Sequence, residues 1–439
     1  MTQFGELSLW IALLMSAWCT TLAVQGAVTR RRSLVESAAR GLQMALVFSL
    51  LAAGVLMRAF LDGDYSLRYV AMHSGSSVAD AFKISAFWMG RAGLLLLLSV
   101  ALAAAASVAA RSAMRRDADR VRAAVTLALL GAVAGGALAV TAFSGNAFAL
   151  FNQVPTDGRG LDPLFRHPLG LIQPLLMVCG LAAAAVPVAL IVASAVRRRF
   201  DPAVVARIRG SAVASWGLLS LALLAGAQWA YVTPGLRARA QGTTVVVGAA
   251  CAWVAMMFIV MAASVRARRV EPRTPRHRVG QVTAQFGTVL CLATLAVSGR
   301  TKNYDVQIAD GSRYSAIDAW GHSWTFTSQG ESRIERPGDD VTALVLLPTR
   351  DGVRQPFLSS ESRQYYAAGG LDIYAPQSAP AIRRGLAQDL LVILSDAEDG
   401  HAILRISFRP LIELAWVGGV LITLGTMLLF WPASFESAA

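Results

Sequence analysis

The chain carries little charge for its length. Of its 439 residues 15% are Asp, Glu, Lys or Arg and 55% are hydrophobic, a balance that excludes a water-soluble globule of this size. Cysteine is scarce too: Cys19, Cys179, Cys251 and Cys291 lie inside apolar runs without CxxC spacing. That pattern supports neither a disulfide framework nor a thiolate metal site and reads as small apolar packing residues. No GxxxxGK[ST] loop, HExxH helix or GxSxG elbow is present, so the common phosphate-binding, zinc-peptidase and serine-hydrolase chemistries are unsupported. Acidic residues are all but missing from the apolar runs, which argues against the paired intramembrane carboxylates of a proton-coupled transporter. There is no internal repeat and no low-complexity linker.

What fills the chain is apolar sequence in lengths of about 20 residues, enough to cross a hydrocarbon core of about 30 Å. Such runs fall at 7–27, 41–61, 84–110, 121–142, 170–196, 211–232, 243–265, 280–298 and 411–432, predicting a polytopic α-helical membrane protein of nine spans. The net charge of +13 is segregated. Arg30–Arg32, Arg111 to Arg122, Arg197 to Arg209 and Arg266 to Arg278 occupy alternate loops, so the positive-inside rule predicts the N-terminus outside and the C-terminus inside. The basic balance thus reads as membrane orientation, with the bilayer and not nucleic acid as partner. The first run lacks a basic region before it and a small-residue cleavage site after it, and reads as a retained span.

Between the eighth and ninth spans the pattern changes. Short runs at 304–308, 324–327, 341–346, 371–374, 390–394 and 403–408 alternate apolar with polar and end at Gly, Pro, Asp or Ser, as half-buried antiparallel strands do. The expected organisation is a membrane domain over 1–298 with outer loops at 62–82 and 143–170, an extracytoplasmic β-rich domain over 299–410, and a last span with a short cytoplasmic tail over 411–439.

Several polar stretches between spans form an ordered series. Asp64-Tyr65-Ser66-Leu67-Arg68-Tyr69-Val70-Ala71-Met72-His73-Ser74 leads to Lys83-Ile84-Ser85-Ala86-Phe87-Trp88-Met89-Gly90. Asn146-Ala147-Phe148, Asp157-Gly158-Arg159-Gly160-Leu161-Asp162-Pro163-Leu164 and Gly170-Leu171-Ile172-Gln173-Pro174-Leu175-Leu176 follow. Then come Ser215-Trp216, Gln228-Trp229-Ala230-Tyr231, Arg409-Pro410-Leu411-Ile412 and Trp416-Val417-Gly418-Gly419. In order and separation this series resembles the CcmF family of cytochrome c biogenesis proteins, at both ends of the chain.

The resemblance implies a bacterial inner-membrane protein that handles haem b on the outer face. It implies help in attaching haem to the CxxCH thiols of apocytochrome c, with other maturation subunits and a haem chaperone as partners. Imidazole is the iron ligand such chemistry needs, yet the family's ligand positions have changed here. Gln173-Pro174-Leu175 stands where the family has His-Pro-Pro, and Ala284-Gln285-Phe286-Gly287 where it has Ala-His-x-Gly. Arg91-Ala92-Gly93 replaces His-Glu-Gly, and Val232-Thr233-Pro234-Gly235-Leu236-Arg237 replaces the tryptophan-rich segment. The chain reads as a shortened member without that segment or the usual haem histidines.

Candidate cofactor-binding residues are therefore His73, His167, Gln173, Pro174, Trp88 and Arg91, with His73 and His167 as candidate iron ligands that would clamp a haem between the outer loops. The plainer reading of both histidines is a hydrogen-bonded or solvated loop residue. His277 belongs to a basic loop, and His322 and His401 flank strands. Trp88, Trp216, Trp229, Trp253 and Trp416 offer either a porphyrin-facing surface or an interfacial aromatic belt. Lys83 can snorkel to the surface; Arg91, two turns deeper in the third span, would face a propionate, a lipid headgroup or a partner helix. Three functions follow: a scaffold or haem-positioning subunit, a minimal haem lyase using His73 and His167, or a membrane assembly factor without haem. Loss of the histidines favours the scaffold.

Overall fold

In a hydrocarbon core every backbone amide must be satisfied within its own segment, so long apolar runs fold as helices. The computed structural model describes residues 2–76, 78–116, 119–162, 165–233, 244–267, 275–336, 339–365, 376–398 and 401–432. It contains α1 (Thr2–Thr29), α2 (Arg32–Asp62), α3 (Arg68–His73), α4 (Asp80–Met89), α5 (Arg91–Arg116), α6 (Arg120–Ser144), α7 (Pro168–Val196), α8 (Pro202–Val232), α9 (Thr244–Ala267), α10 (Pro275–Val297) and α11 (Ile412–Phe430). Among the described residues nine of these, all except α3 and α4, are long and apolar enough to cross a bilayer.

The third apolar run is not one helix. It breaks at Gly90, where the backbone is extended between α4 and α5. Arg91 therefore opens α5 at an exposed position, which corrects its expected place two turns inside a continuous span. Lys83 sits on α4, paired with Asp80 at 2.9 Å.

Helix α1 packs on α2 and α6, α5 on α6 and α7, α7 on α8, and α8 on α9 and α11. Helix α10 packs chiefly on α11, through glycines that let the two backbones touch. A Cβ on Gly287 would lie 2.6 Å from the Gly418 carbonyl oxygen, and one on Gly425 would lie 2.7 Å from that of Gly280. Small residues at such a seam supply the close packing that drives association in lipid.

The end of the bundle where α5 and α7 finish and α6 and α8 begin is rich in arginine, part of it neutralised. Buried Arg122 pairs with Asp201 at 2.8 Å, and Arg197 with Asp119 at 2.9 Å. Asp119 also caps α6, accepting from the Val121 and Arg122 amides. Burial opposes its charge, but Arg197 and the Arg122 amide hold its carboxyl below the usual range.

Among the described residues ten strands follow α10: β1 (Lys302–Ala309), β2 (Arg313–Ile317), β3 (Ser323–Arg336), β4 (Asp339–Arg350), β5 (Val353–Arg354), β6 (Leu358–Tyr365), β7 (Gln377–Ala379), β8 (Ala381–Arg383), β9 (Gln388–Glu398) and β10 (His401–Pro410). They form two antiparallel sheets, β1-β10-β9-β8 and β2-β3-β4-β6-β7, with β5 beside β4. Alternation points Trp324, Phe326, Leu344 and Leu346 of one sheet and Leu390, Val392, Leu404 and Phe408 of the other into a shared core. Leu411, at φ 54°, turns the chain from β10 into α11, and the Thr294 hydroxyl donates to its carbonyl at 3.0 Å. The expected strand at 371–374, part of the replaced segment at 234–237, Pro163, Leu164, Arg268, Arg269, Arg273 and the tail beyond 432 lie outside the described residues.

Candidate functional site

Two loops meet at the end of the bundle that faces the β domain. The first, from Gly63 to Ala79, carries α3; the second runs from Gly145 to His167. Main-chain hydrogen bonds lace them together: the Arg68 amide donates to Ala149 at 2.9 Å, Phe151 to Ser66 at 3.0 Å, Arg159 to Ala71 at 2.7 Å and Gly160 to Ser74 at 3.0 Å. Asp157 accepts from the Ser76 amide at 2.8 Å and hydroxyl at 2.5 Å. Burial opposes its charge, but the Ser76 bonds bring its carboxyl below the usual range, and Tyr65, half-buried beside it, is pushed up to about 12 by desolvation and by the Asp157 carboxylate. The crossing is so close that a Cβ on Gly158 would lie 2.0 Å from the Ser74 carbonyl oxygen. Above the loops, the Arg166 guanidinium lies 4.8 Å from the centre of the Tyr365 ring of β6.

Beneath this lacework Trp88 joins α4 to α7. Its Nε1 donates to the Gly170 carbonyl at 3.0 Å. That carbonyl would ordinarily accept from the amide four residues on, but residue 174 is proline and has no amide hydrogen. The indole restores the bond that Pro174 removes. Trp229 of α8 lies edge-on to Phe165 at 5.8 Å, buried, and its Nε1 has no hydrogen-bond partner among the described residues. Gln173 is half-buried against Gly226 of α8, and its amide nitrogen approaches the Met177 sulfur at 3.8 Å.

Tyr69, in α3, organises the break at Gly90. Its hydroxyl donates to the Phe87 carbonyl at 2.9 Å and accepts from the Gly90 amide at 3.1 Å. Burial raises its pKa, so it remains a neutral donor. A Cβ on Gly93 would fall 1.6 Å from the Phe87 carbonyl oxygen. Sequence reasoning passed over Tyr69 and over the Gly170 carbonyl. A proline six residues inside a helix was the available sign that some other group must serve that carbonyl.

The two candidate iron ligands are engaged separately. His73 Nδ1 donates to the Tyr69 carbonyl at 2.9 Å, its ring lies 4.5 Å from the Tyr69 ring, and its Nε2 faces Gly90 so closely that a Cβ there would be 2.4 Å away. Burial lowers its pKa, keeping the ring neutral. His167 is the N-cap of α7: its Nδ1 accepts from the Leu169 amide at 3.1 Å, which places the proton on Nε2. Burial lowers its pKa as well. One imidazole is walled by backbone and the other presents a proton where a ligand needs a lone pair. The pair therefore does not fit the expected clamp on haem iron. The site instead holds two loops and three helices in one fixed arrangement.

No family model matches the chain. Its sequence is 31% identical over 237 residues to the cytochrome c-type biogenesis protein CcmF of Pseudomonas aeruginosa, covering 53% of this chain and 35% of that protein. It is 29% identical over 238 residues to the cytochrome c-type biogenesis protein NrfE of Haemophilus influenzae, covering 52% and 36%. The chain is thus similar in sequence to proteins of the CcmF family. The matches span about a third of the length of these curated relatives. A solved structure of a cytochrome c haem lyase CcmF superposes with a TM-score of 0.73 at 16% identity, covering 98% of each chain. The fold, with nine membrane-type helices among the described residues and a β-rich domain before the last, is thus the CcmF fold.

Proposed function

We propose that this chain serves cytochrome c maturation as a membrane component that positions or scaffolds haem attachment to apocytochrome c. The observation that carries this reading is its similarity, over half its length, to proteins named for cytochrome c-type biogenesis. In this reading it lies in a bacterial inner membrane with the N-terminus and β domain outside and the C-terminus inside. The interlaced loops and the β domain would receive apocytochrome c or a haem chaperone, and another maturation subunit would supply the iron ligands. The engagement of His73 and His167 within the fold supports scaffolding over independent haem ligation.

Deleting the gene and staining membranes for covalent haem tests the role: mature cytochromes c should fall, and return with the wild-type chain and with His73→Gln. Unchanged cytochromes c would overturn the reading in favour of an assembly factor without haem. A visible spectrum of the protein purified alone, with and without dithionite, separates scaffold from minimal lyase. Near-stoichiometric haem lost in His73→Ala or His167→Ala would establish the lyase.

A further inference from the structure

At the end of the bundle away from the β domain, α5 and α8 both pack on α7 and leave between them a cavity of about 570 Å³. Much of the lining is small, with Ala105 and Ala109 on α5, Ala183 on α7 and Gly210 and Ala214 on α8, and the branched side chains of Val108, Val186 and Leu190 complete the apolar wall. These positions recur at helical spacing, so each helix presents one narrow apolar stripe to the groove. Three arginines, Arg111 and Arg115 on α5 and Arg207 on α8, stand at its mouth, with Trp431 just beyond α11.

Arg111 and Arg115 are exposed and, among the described residues, have no acidic partner. In this they differ from Arg122 and Arg197 at the same end of the bundle, which are paired with aspartates. From Ala105 to Arg115 the helix rises about 15 Å, the reach of a good part of an acyl chain. The groove is thus mainly apolar, with the hydroxyl residues Ser112, Thr126 and Ser211 among its walls, and it is cationic where the arginines stand. Its lining contains no His, Cys or Met, so it offers no side chain suited to haem iron.

We infer that this groove is a binding site for an anionic diacyl phospholipid, with its phosphate against Arg111 and Arg115 and an acyl chain laid over the small residues of α5, α7 and α8. Basic pockets between membrane helices take acidic headgroups by charge, while apolar walls take the chain. Zwitterionic lipids offer the same chains without the net charge.

Native mass spectrometry of the full chain in detergent, titrated separately with palmitoyl-oleoyl phosphatidylglycerol and palmitoyl-oleoyl phosphatidylcholine, tests this. The expected result is one retained phosphatidylglycerol, held at least about tenfold more tightly than phosphatidylcholine. The double variant R111Q/R115Q should lose that preference, and A214F, which fills the groove from the opposite helix, should weaken the anionic lipid while leaving the arginines in place. Helical circular dichroism confirms that each variant is folded. Equal affinity for the two lipids, a preference unchanged in either folded variant, or displacement of the bound lipid by equimolar haem would overturn the assignment.

Discussion

The hydroxyl of Tyr231, at the end of α8, donates to the Asp389 carboxylate of β9 at 2.9 Å, so a membrane helix and a sheet share one buried hydrogen bond. Arg409 lies 4.9 Å from the Tyr231 ring centre, and Trp416 of α11 lies edge-on to it at 5.9 Å. Asp389 also accepts from the Gly385 amide at 3.1 Å. One aromatic residue therefore fixes the β domain to the helix that also carries Trp229.

Tyr231→Phe removes the donor and leaves a buried carboxylate oxygen without it, at a cost of about 1–3 kcal/mol. Because Gly385 still serves the other oxygen, the β domain should stay folded while its attachment loosens. Limited proteolysis in detergent should release a fragment containing β1–β10 faster than in the wild type, with helical circular dichroism unchanged. An identical cleavage rate would show that this contact does not hold the domain.

The pairing of Trp88 with Gly170 predicts a coupling with Pro174. Trp88→Phe strands the carbonyl and should destabilise by about 1–3 kcal/mol. Pro174→Ala supplies a new amide to the same carbonyl, so it should help most where the indole is absent. A double-mutant cycle, read from denaturation midpoints in detergent, should show W88F costing less in the P174A background by about 1 kcal/mol. Strict additivity would remove the proposed division of labour.

Glycine positions differ sharply in what they tolerate. Gly93→Ala drives a methyl into the Phe87 carbonyl and towards the Tyr69 hydroxyl, and the break between α4 and α5 should not form. Gly136→Ala, in α6 with open space around the position, should be neutral or stabilising by up to about 1 kcal/mol. Thermal aggregation of the purified variants compares the two: the first should lose folded yield, and the second should match or exceed the wild type.

Acid should weaken the loop cluster. His73 and His167 have folded pKa values lowered by burial, a nearby Arg159 adding to the effect at His73 against the opposing Tyr69 carbonyl. An imidazole lowered in the folded state is protonated first in the unfolded chain. Its contribution is therefore complete above the unfolded value of about 6.5 and is lost as the pH falls from there through the folded value. Protonation of His167 also removes the acceptor that caps α7. His167→Asn keeps a capping oxygen without a titrating ring, so its melting temperature should fall less than that of the wild type between pH 7.5 and 5.5. Parallel pH profiles would exclude His167 as a source of acid sensitivity.

The membrane helices were legible in the sequence because apolar length is a local property, and the strands at 304–308, 324–327, 341–346, 390–394 and 403–408 because alternation is local too. Strand β6 was missed: Leu358-Ser-Ser-Glu-Ser-Arg-Gln-Tyr365 has apolar residues only at its ends and owes its extended form to pairing with β4 and β7. The break at Gly90 was missed for a related reason. Hydropathy runs smoothly through it, and what interrupts the helix is Tyr69, which bonds to both sides of the gap from a different loop.

By itself the sequence determined a polytopic helical chain with a late β-rich insertion and an ordered series of CcmF-like motifs, since hydrophobic run length, alternation and motif order need no partner in space. Only the tertiary structure decided what the polar residues do. His73 is spoken for by Tyr69 and Gly90, His167 by the start of α7, and Trp88 by the carbonyl that Pro174 frees, while Arg111 and Arg115 are left facing a groove. Hydrogen bonds and steric walls join residues far apart in the chain, and whether an imidazole or guanidinium is engaged or available is settled by those neighbours.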